Sequence, residues 1–529
     1  MNATHPFSCF LDSFVPMVAK KSKQLNKAIW ILETTGSQDA ADLKTELDTE
    51  LRLLFNDKDI YQNLLKWDQD PTLQAPLLKR QLNVLIRSFK QYCIPKDLLE
   101  EIAKQETVLL HTYANFRPTL EGRTLSENDI RTLLKEENDP IQRQKTWEAS
   151  KQIGDLLSPL ILPLVRLRNL AAKSVGYTDY FHMQLDLQEI DPSWLFSLLD
   201  EYYALSEEIY DKTIKEIEKD QCKRFSVTPN LLGPWAWSEP FSQEDPIDSR
   251  ELDSLTEGAD LCSMATGFYQ KMGLDILPTL DVSDLYEKDG KNQHAFCINI
   301  DREKDVRTLN NIKPTLKWAE TILHELGHAI YELGFTPDTP WLLKEPPHMI
   351  STEAMALIAG RQAYLPEVLN SLQRSSENHD ILVQKAKKSL ARRQLIFSRF
   401  VLVMTYFERE LYKNPEQDLQ ALWWSMVYKY QKILPPKEHT GKNDWAAKYH
   451  IGLAPVYYYS YLLGEMLASS IEETLLQETG NSSIASKEAG KLLQERLFSK
   501  ANTLPLESLV SHVTKKPLSA HAWIKQYAI

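Results

Sequence analysis

His324 and His328 stand four residues apart, with Glu325 directly after the first, in the stretch AETILHELGHAIYELGF (319–335). Imidazoles and a carboxylate are the groups that hold a transition-metal ion and move protons beside it. Pro314 and Thr315 offer a helix start and Gly334 a stop. Between them Leu316, Ala319, Leu323, Leu326 and Ile330 recur at helical spacing, which predicts one buried face. On such a helix positions 324 and 328 share a face about one turn apart, so both ring nitrogens can reach one ion at roughly 2.0–2.1 Å. Glu325 projects about 100° around the axis, near the ion rather than on it, where it can take a proton from a water on the metal.

A catalytic zinc site of this kind takes a third protein ligand and keeps one position open. The stretch PPHMISTEAMALIAGR supplies candidates 20 and 25 residues after His328. Glu353 is favoured: Ser351 or Thr352 caps a new helix, and Glu353 faces inward from its first turn beside Ala354 and Ala356. His348, behind two prolines, and Glu345 are the alternatives. His324, His328 and Glu353 around Zn²⁺, with Glu325 as base, make a hydrolytic arrangement in which the ion polarises a carbonyl and Glu325 passes the proton to a leaving amine. Peptide-bond hydrolysis is the expected reaction class.

The elements that must position these residues are helices. Gly is scarce at 17 in 529 residues, 43% of the chain is apolar, and strings such as KRQLNVLIRSFKQYC carry apolar residues three and four apart. A mostly all-α fold follows, with one exception at DVSDLYEKDGKNQHAFCINID. There two β-prone runs flank Asp289-Gly290, a dipeptide suited to tight turns, and predict a small hairpin beside the zinc helix. No repeat or Ser/Gly-rich linker divides the chain, so residues 1–529 read as one metallopeptidase unit. An N-terminal helical, lid-like region covers 1–125 and the catalytic region 126–529. The Trp- and Pro-rich stretch from 230 to 248 reads as an ordered loop.

A net charge of −12 argues against nucleic acid or an anionic membrane as partner, since either needs a clustered basic face. Five cysteines, odd in number and without a C-x-x-C pair, suit a reducing compartment. No run of about 18 apolar residues predicts a membrane span, and Asp12 and Pro16 break the apolar start, so a cytoplasmic protein is expected.

With these residues in view, ILHELGHAIYELGF and STEAMAL resemble the HExxH-plus-Glu zinc peptidases, and four further blocks narrow the likeness to the angiotensin-converting-enzyme family. TWEASKQIGDLLSPLILPLVRLRNLAAKSVGYTDYFHMQL is similar to that family's tryptophan helix and the helix after it, and NLLGPWAW to its H-L-L-G-N-M-W-A-Q loop. HAFCINI resembles its His-Ala strand, with His294 30 residues before His324, and KYHIGLAPVYYYSYLL its C-terminal K-F-H-I and P-Y-x-x-Y segment. The likeness runs from about residue 140 to 475. HELGHAIYE also looks like the carboxypeptidase Taq family and YYSYL like the thimet oligopeptidase family. All three imply a helical ellipsoid in two halves around a deep central channel.

The resemblance implies roles for individual residues. Ala295 offers backbone hydrogen bonds to an extended peptide, and His294 helps orient its carbonyl. Tyr461 donates to the oxyanion with His450 nearby, Tyr459 being the alternative because this segment is one residue longer than the family pattern. Lys448 and Tyr458 grip the substrate's C-terminal carboxylate. The family's carboxylate-binding glutamine falls on Trp237 here, its chloride-binding arginine on Ser460, and the acidic residue four positions after the metal glutamate on Leu357. These departures put strict dipeptide release and chloride activation in doubt, and leave Glu332 as a substitute partner for a ligand imidazole. The expected activity is therefore that of a zinc peptidase on short peptides, peptidyl-dipeptidase-like. A metallocarboxypeptidase or endo-acting oligopeptidase is the alternative, and a catalytically weak peptide-binding protein is the non-enzyme reading.

Overall fold

The apolar-periodic stretches form helices: 71% of the computed structural model is helical, accompanied by only two two-stranded sheets among the described residues. The mostly all-α class expected from the sequence is the class observed. The structure describes residues 5–247, 250–372, 378–436 and 441–528, so Asp248, the last residue of the Trp- and Pro-rich stretch, lies outside the described residues. The chain forms two compact units. The first collects Met1–Cys93, Arg250–Lys387 and Leu463–Trp523; the second Ile94–Ser249, Lys388–Leu462 and Ile524–Ile529.

In the first unit, the helix Pro6–Thr35 opens with proline at its first position, where no intrahelical donor is lost, and His5 Nδ1 accepts the Phe7 N–H at 3.1 Å. Phe7, Leu11, Phe14 and Val18 recur every three or four residues and are buried against Leu64, Leu82, Leu85 and Phe89. Each such apolar side chain contributes about 1.5–3 kcal/mol relative to exposure. Further along, Phe296–Asn299 pairs antiparallel with Val306–Leu309, and this sheet packs on the helix Leu316–Leu333 that carries both histidines. Phe296 and Ile298 pack against the cluster of Trp30, Ile300 and Leu309. By strand alternation Cys297 and Asn299 point to the opposite face.

The hairpin is present, but its turn is not at Asp289-Gly290. It lies at 300–305, where Asn299 Oδ1 accepts the N–H groups of Asp301 (3.3 Å) and Arg302 (2.7 Å), and Asp301 Oδ1 accepts that of Glu303 (3.0 Å). These side-chain acceptors let Arg302 take φ 57°. The upstream run instead forms the helix Leu277–Val282 and a single parallel bridge from Asp284 to Leu309. Gly290 serves a close approach: at φ 76° it lies against the end of the first helix, where a Cβ would come within 2.4 Å of the Thr35 carbonyl oxygen.

In the second unit, the helix Pro140–Ser174 carries a fully buried Arg143 whose Nε and Nη2 donate to the carbonyls of Trp235 and Trp237, both at 2.8 Å. Trp147 Nε1 donates to Pro240 O at 3.0 Å. These bonds fold the Trp- and Pro-rich loop onto the helix and fix the path of the residues that follow it, up to Gln243.

Candidate active site

Thr315 caps the histidine helix, its side chain accepting the Trp318 N–H at 3.3 Å, and Leu316, Ala319, Leu323, Leu326 and Ile330 are all buried. The helix Met349–Gly360 packs against it. Contact is close because Gly327 faces Ala356: a Cβ on Gly327 would fall 2.7 Å from the Ala356 Cα. This spacing brings His324, His328 and Glu353 together, with one ligand atom from each lying within 4.8 Å of the others. Glu353 Oε2 is 3.8 Å from His324 Nε2, and Oε1 is 4.0 Å from His328 Nε2. Two ligands at 2.0–2.1 Å from a tetrahedral ion lie roughly 3.4 Å apart, so the two glutamate–histidine separations are each within about 0.4–0.6 Å of that spacing.

The electrostatics fit a dication. Burial holds the His324 imidazole down to about 4, against the pull of Glu320. It holds His328 well below the ordinary histidine range, reinforced by His324. Both rings are therefore neutral and able to ligate. Burial, then the Glu353 charge, pushes Glu325 up to about 8; burial, then Glu465, pushes Glu353 up to about 7. Neutral imidazoles beside carboxylates that resist ionising in each other's presence are what a positive ion relieves. His328 Nδ1 lies 2.7 Å from Thr352 Oγ1, which orients the ring with Nε2 toward Glu353.

Several expectations are corrected here. His348, not Ser351 or Thr352, caps the second helix, its Nδ1 accepting the Ile350 N–H at 2.9 Å, so it is committed away from the metal cluster. Glu345 pairs with Arg302 at 2.7 Å. Thr352, not Glu332, is the partner of His328. Burial pushes the Glu332 carboxyl up to about 7, with Asn299 and then Arg302 opposing. Behind Glu353, Gly464 packs closely on its Cβ, so that an added Cβ would stand 3.2 Å away, a tight contact. Arg361 Nη2 holds Glu472 at 2.9 Å, and its Nη1 lies 3.7 Å from Glu465.

Also in the first unit, His294 is exposed, its N–H donating to Asn292 Oδ1 at 2.9 Å, and Ala295 directly precedes the strand Phe296–Asn299. Among the described residues that strand has a strand neighbour on one edge only.

The second unit gathers the other expected residues. Lys448 Nζ and the Tyr458 hydroxyl both donate to Gln243 Oε1, at 3.2 and 3.4 Å. Burial lowers the Lys448 ammonium to about 8, with the Glu239 charge opposing. The His450 ring stands 4.8 Å from that of Tyr458, edge to face, and burial holds it down to about 4. Tyr459 is buried with its hydroxyl donating to Gln188 Oε1 at 2.8 Å, whereas Tyr461 is half-buried beside Phe397 (5.6 Å), Tyr457 (5.2 Å) and Tyr458 (5.4 Å). Gln243 was missed in the sequence. The family's glutamine falls on Trp237, yet a glutamine six residues further along the same loop reaches Lys448 and Tyr458.

Comparison with known proteins divides the chain differently, by sequence rather than by compact unit. The family model described as Angiotensin-converting enzyme matches residues 3–213, and that of Peptidase family M3 matches 282–529. The likeness thus reaches the first hundred residues, where the sequence showed nothing specific. Angiotensin-converting enzyme of Rattus norvegicus is 24% identical over 396 residues, 67% of this chain and 29% of the relative, and that of Mus musculus gives the same figures. Mitochondrial intermediate peptidase 2 of Cryptococcus neoformans var. neoformans serotype D is 26% identical over 248 residues, 41% of this chain and 28% of the relative. The chain spans less than a third of the length of these relatives. Among the described residues no helix is long and apolar enough to cross a membrane.

Proposed function

The chain belongs to the group of peptidases that the angiotensin-converting enzyme and family M3 models describe, and from that premise we propose that it is a zinc-dependent peptidase that takes short peptides by their free C-terminus. The observation that carries the reading is the convergence of His324, His328 and Glu353 with Glu325 one residue from the first ligand. The residues that would hold Zn²⁺ are those three. When bound, the ion supplies Lewis acidity to the scissile carbonyl and to the attacking water. Glu325, buried one residue from the first ligand, would take the proton from that water and deliver it to the leaving amine. Tyr461, half-buried where Tyr459 is committed to Gln188, donates its hydroxyl to the oxyanion, with His450 nearby. Ala295 and His294, at the start of the strand Phe296–Asn299, hold the peptide extended.

Lys448, Tyr458 and Gln243 form the grip for the terminal carboxylate. Gln243 restores the third polar arm that its absence from the aligned position had put in doubt, which supports release from the C-terminal end, peptidyl-dipeptidase fashion. The five unpaired cysteines support a cytoplasmic setting.

The test is mass spectrometry of short peptides offered as free acids and as C-terminal amides. Free acids should be cut at least tenfold faster than amides, and the product length reports the register. Equal cutting would leave an endo-acting oligopeptidase, and binding without cutting the peptide-binding reading. The pH profile carries a second expectation. Lys448 is an ammonium below about 8 and loses its charge above it. The ratio of kcat/KM for free acids to that for amides, in which the base common to both cancels, should therefore be level up to about pH 8 and fall above it; steady-state kinetics on both from pH 6.5 to 9.5 checks this. A flat ratio would remove Lys448 from the grip.

A further inference from the structure

Between His450 and the tyrosines the chain makes a turn that its own sequence disfavours. The helix Tyr449–Leu453 ends, and Val456 adopts φ 57° before the helix Tyr459–Thr479 begins. Val456 is the only β-branched residue at positive φ among the described residues, and its branched Cβ crowds the backbone there. Its side chain is buried.

Three side chains from separate parts of the second unit hold this turn. Glu408 Oε1 accepts the Val456 N–H at 3.1 Å. Gln188 Nε2 donates to Val456 O at 3.5 Å while its Oε1 accepts the Tyr459 hydroxyl at 2.8 Å. Arg168 Nη2 donates to Gly452 O at 2.9 Å and is itself held by Glu106 at 2.7 Å. The bonded atoms bracket the candidate site: Gly452 is two residues after His450, Val456 two before Tyr458, and Tyr459 two before Tyr461. A disfavoured backbone persists only where its surroundings over-determine it, and such places gather at functional sites. A network kept for stability alone has no need to hold a β-branched residue on this side of φ, since a glycine would fold there without strain.

We propose that Glu408, Gln188 and Arg168 are positioning residues that hold the Val456 turn so that His450, Tyr458 and Tyr461 present one fixed geometry to the substrate. The inference rests on the peptidase reading above.

Glu408 is the member to change. Burial pushes its carboxyl up to about 8, so Gln reproduces its neutral form and keeps an acceptor for the Val456 N–H, whereas Leu keeps the volume and removes the acceptor. The full-length zinc-loaded Glu408→Gln and Glu408→Leu proteins are compared with wild type by kcat and KM on a free-acid peptide, corrected for folded fraction. The fluorine NMR spectrum of 3-fluorotyrosine placed at position 461 is recorded for each. Glu408→Leu should lose tenfold or more in kcat with KM within threefold, and its fluorine line should broaden or split. Glu408→Gln should recover kcat within threefold and a single line. Gln188→Met is carried alongside with the same expectation as Glu408→Leu, in case the latter does not fold. Wild-type kcat and a single line in both truncated variants, or no rescue by Gln, overturns the proposal. If wild type cuts no peptide, the peptidase reading fails by itself. The fluorine spectra then decide the positioning role: a split line in Glu408→Leu with a single line in Glu408→Gln supports it, and single lines throughout overturn it.

Discussion

Glu325→Gln should leave the protein folded and zinc-loaded while lowering kcat by about 10²–10⁴, the share that a positioned proton acceptor supplies. Glu325 is not one of the three converging donors, so the metal content should match wild type. Gln fills the same volume at a site only 7% exposed, and it removes a carboxyl that burial and Glu353 already make costly to ionise, so thermal stability of the metal-free protein should not fall. What Gln lacks is an oxygen that can take a proton at neutral pH. Turnover on a free-acid peptide, read together with zinc content and melting temperature, checks all three statements. A variant retaining more than a tenth of wild-type turnover would move the base elsewhere.

Tyr461→Phe should cost about 10²–10³ in kcat with KM within a few-fold, the loss expected for one oxyanion donor. The contrast is Tyr459→Phe. That hydroxyl is buried against Gln188, so its removal should lower the melting temperature by leaving a buried amide oxygen without its donor, and should cost less than tenfold in kcat, since Gln188 keeps its bond to the Val456 carbonyl. Steady-state kinetics and thermal denaturation of the two variants separate the roles. If Tyr459→Phe loses kcat and Tyr461→Phe does not, the register of the tyrosine segment shifts by two residues.

The parts of this site that local periodicity governs were legible in the sequence. Helical repeat alone puts His324 and His328 on one face, and the small residues Ala354 and Ala356 around Glu353 announced a helix that lies close to its neighbour. The parts set by tertiary placement were not. His348 caps the second helix because its ring nitrogen meets the Ile350 N–H, which displaces Ser351 and Thr352 into the first turn and frees Thr352 to orient His328. Nothing in the local pattern distinguishes a capping threonine from one that bonds an imidazole 24 residues away. Gln243 reaches Lys448 across 205 residues of chain, through a loop whose path is fixed by Arg143 and Trp147 on a distant helix. The hairpin was read one turn too early because Asp289-Gly290 is a strong local turn signal. Its glycine instead serves a contact with the first helix, and side-chain acceptors at Asn299 and Asp301 build the actual turn.

The most direct test of the metal peptidase reading is to strip the purified protein with a chelator, return zinc in measured steps, and follow cleavage of a mixed set of free-acid peptides by mass spectrometry beside metal content. Cleavage should vanish on stripping and return in proportion to zinc up to one equivalent. His328→Ala should neither hold that equivalent nor cut. Cleavage that survives complete removal of metal, or one bound zinc per chain with no cleavage of any peptide, would contradict a zinc peptidase at His324, His328 and Glu353.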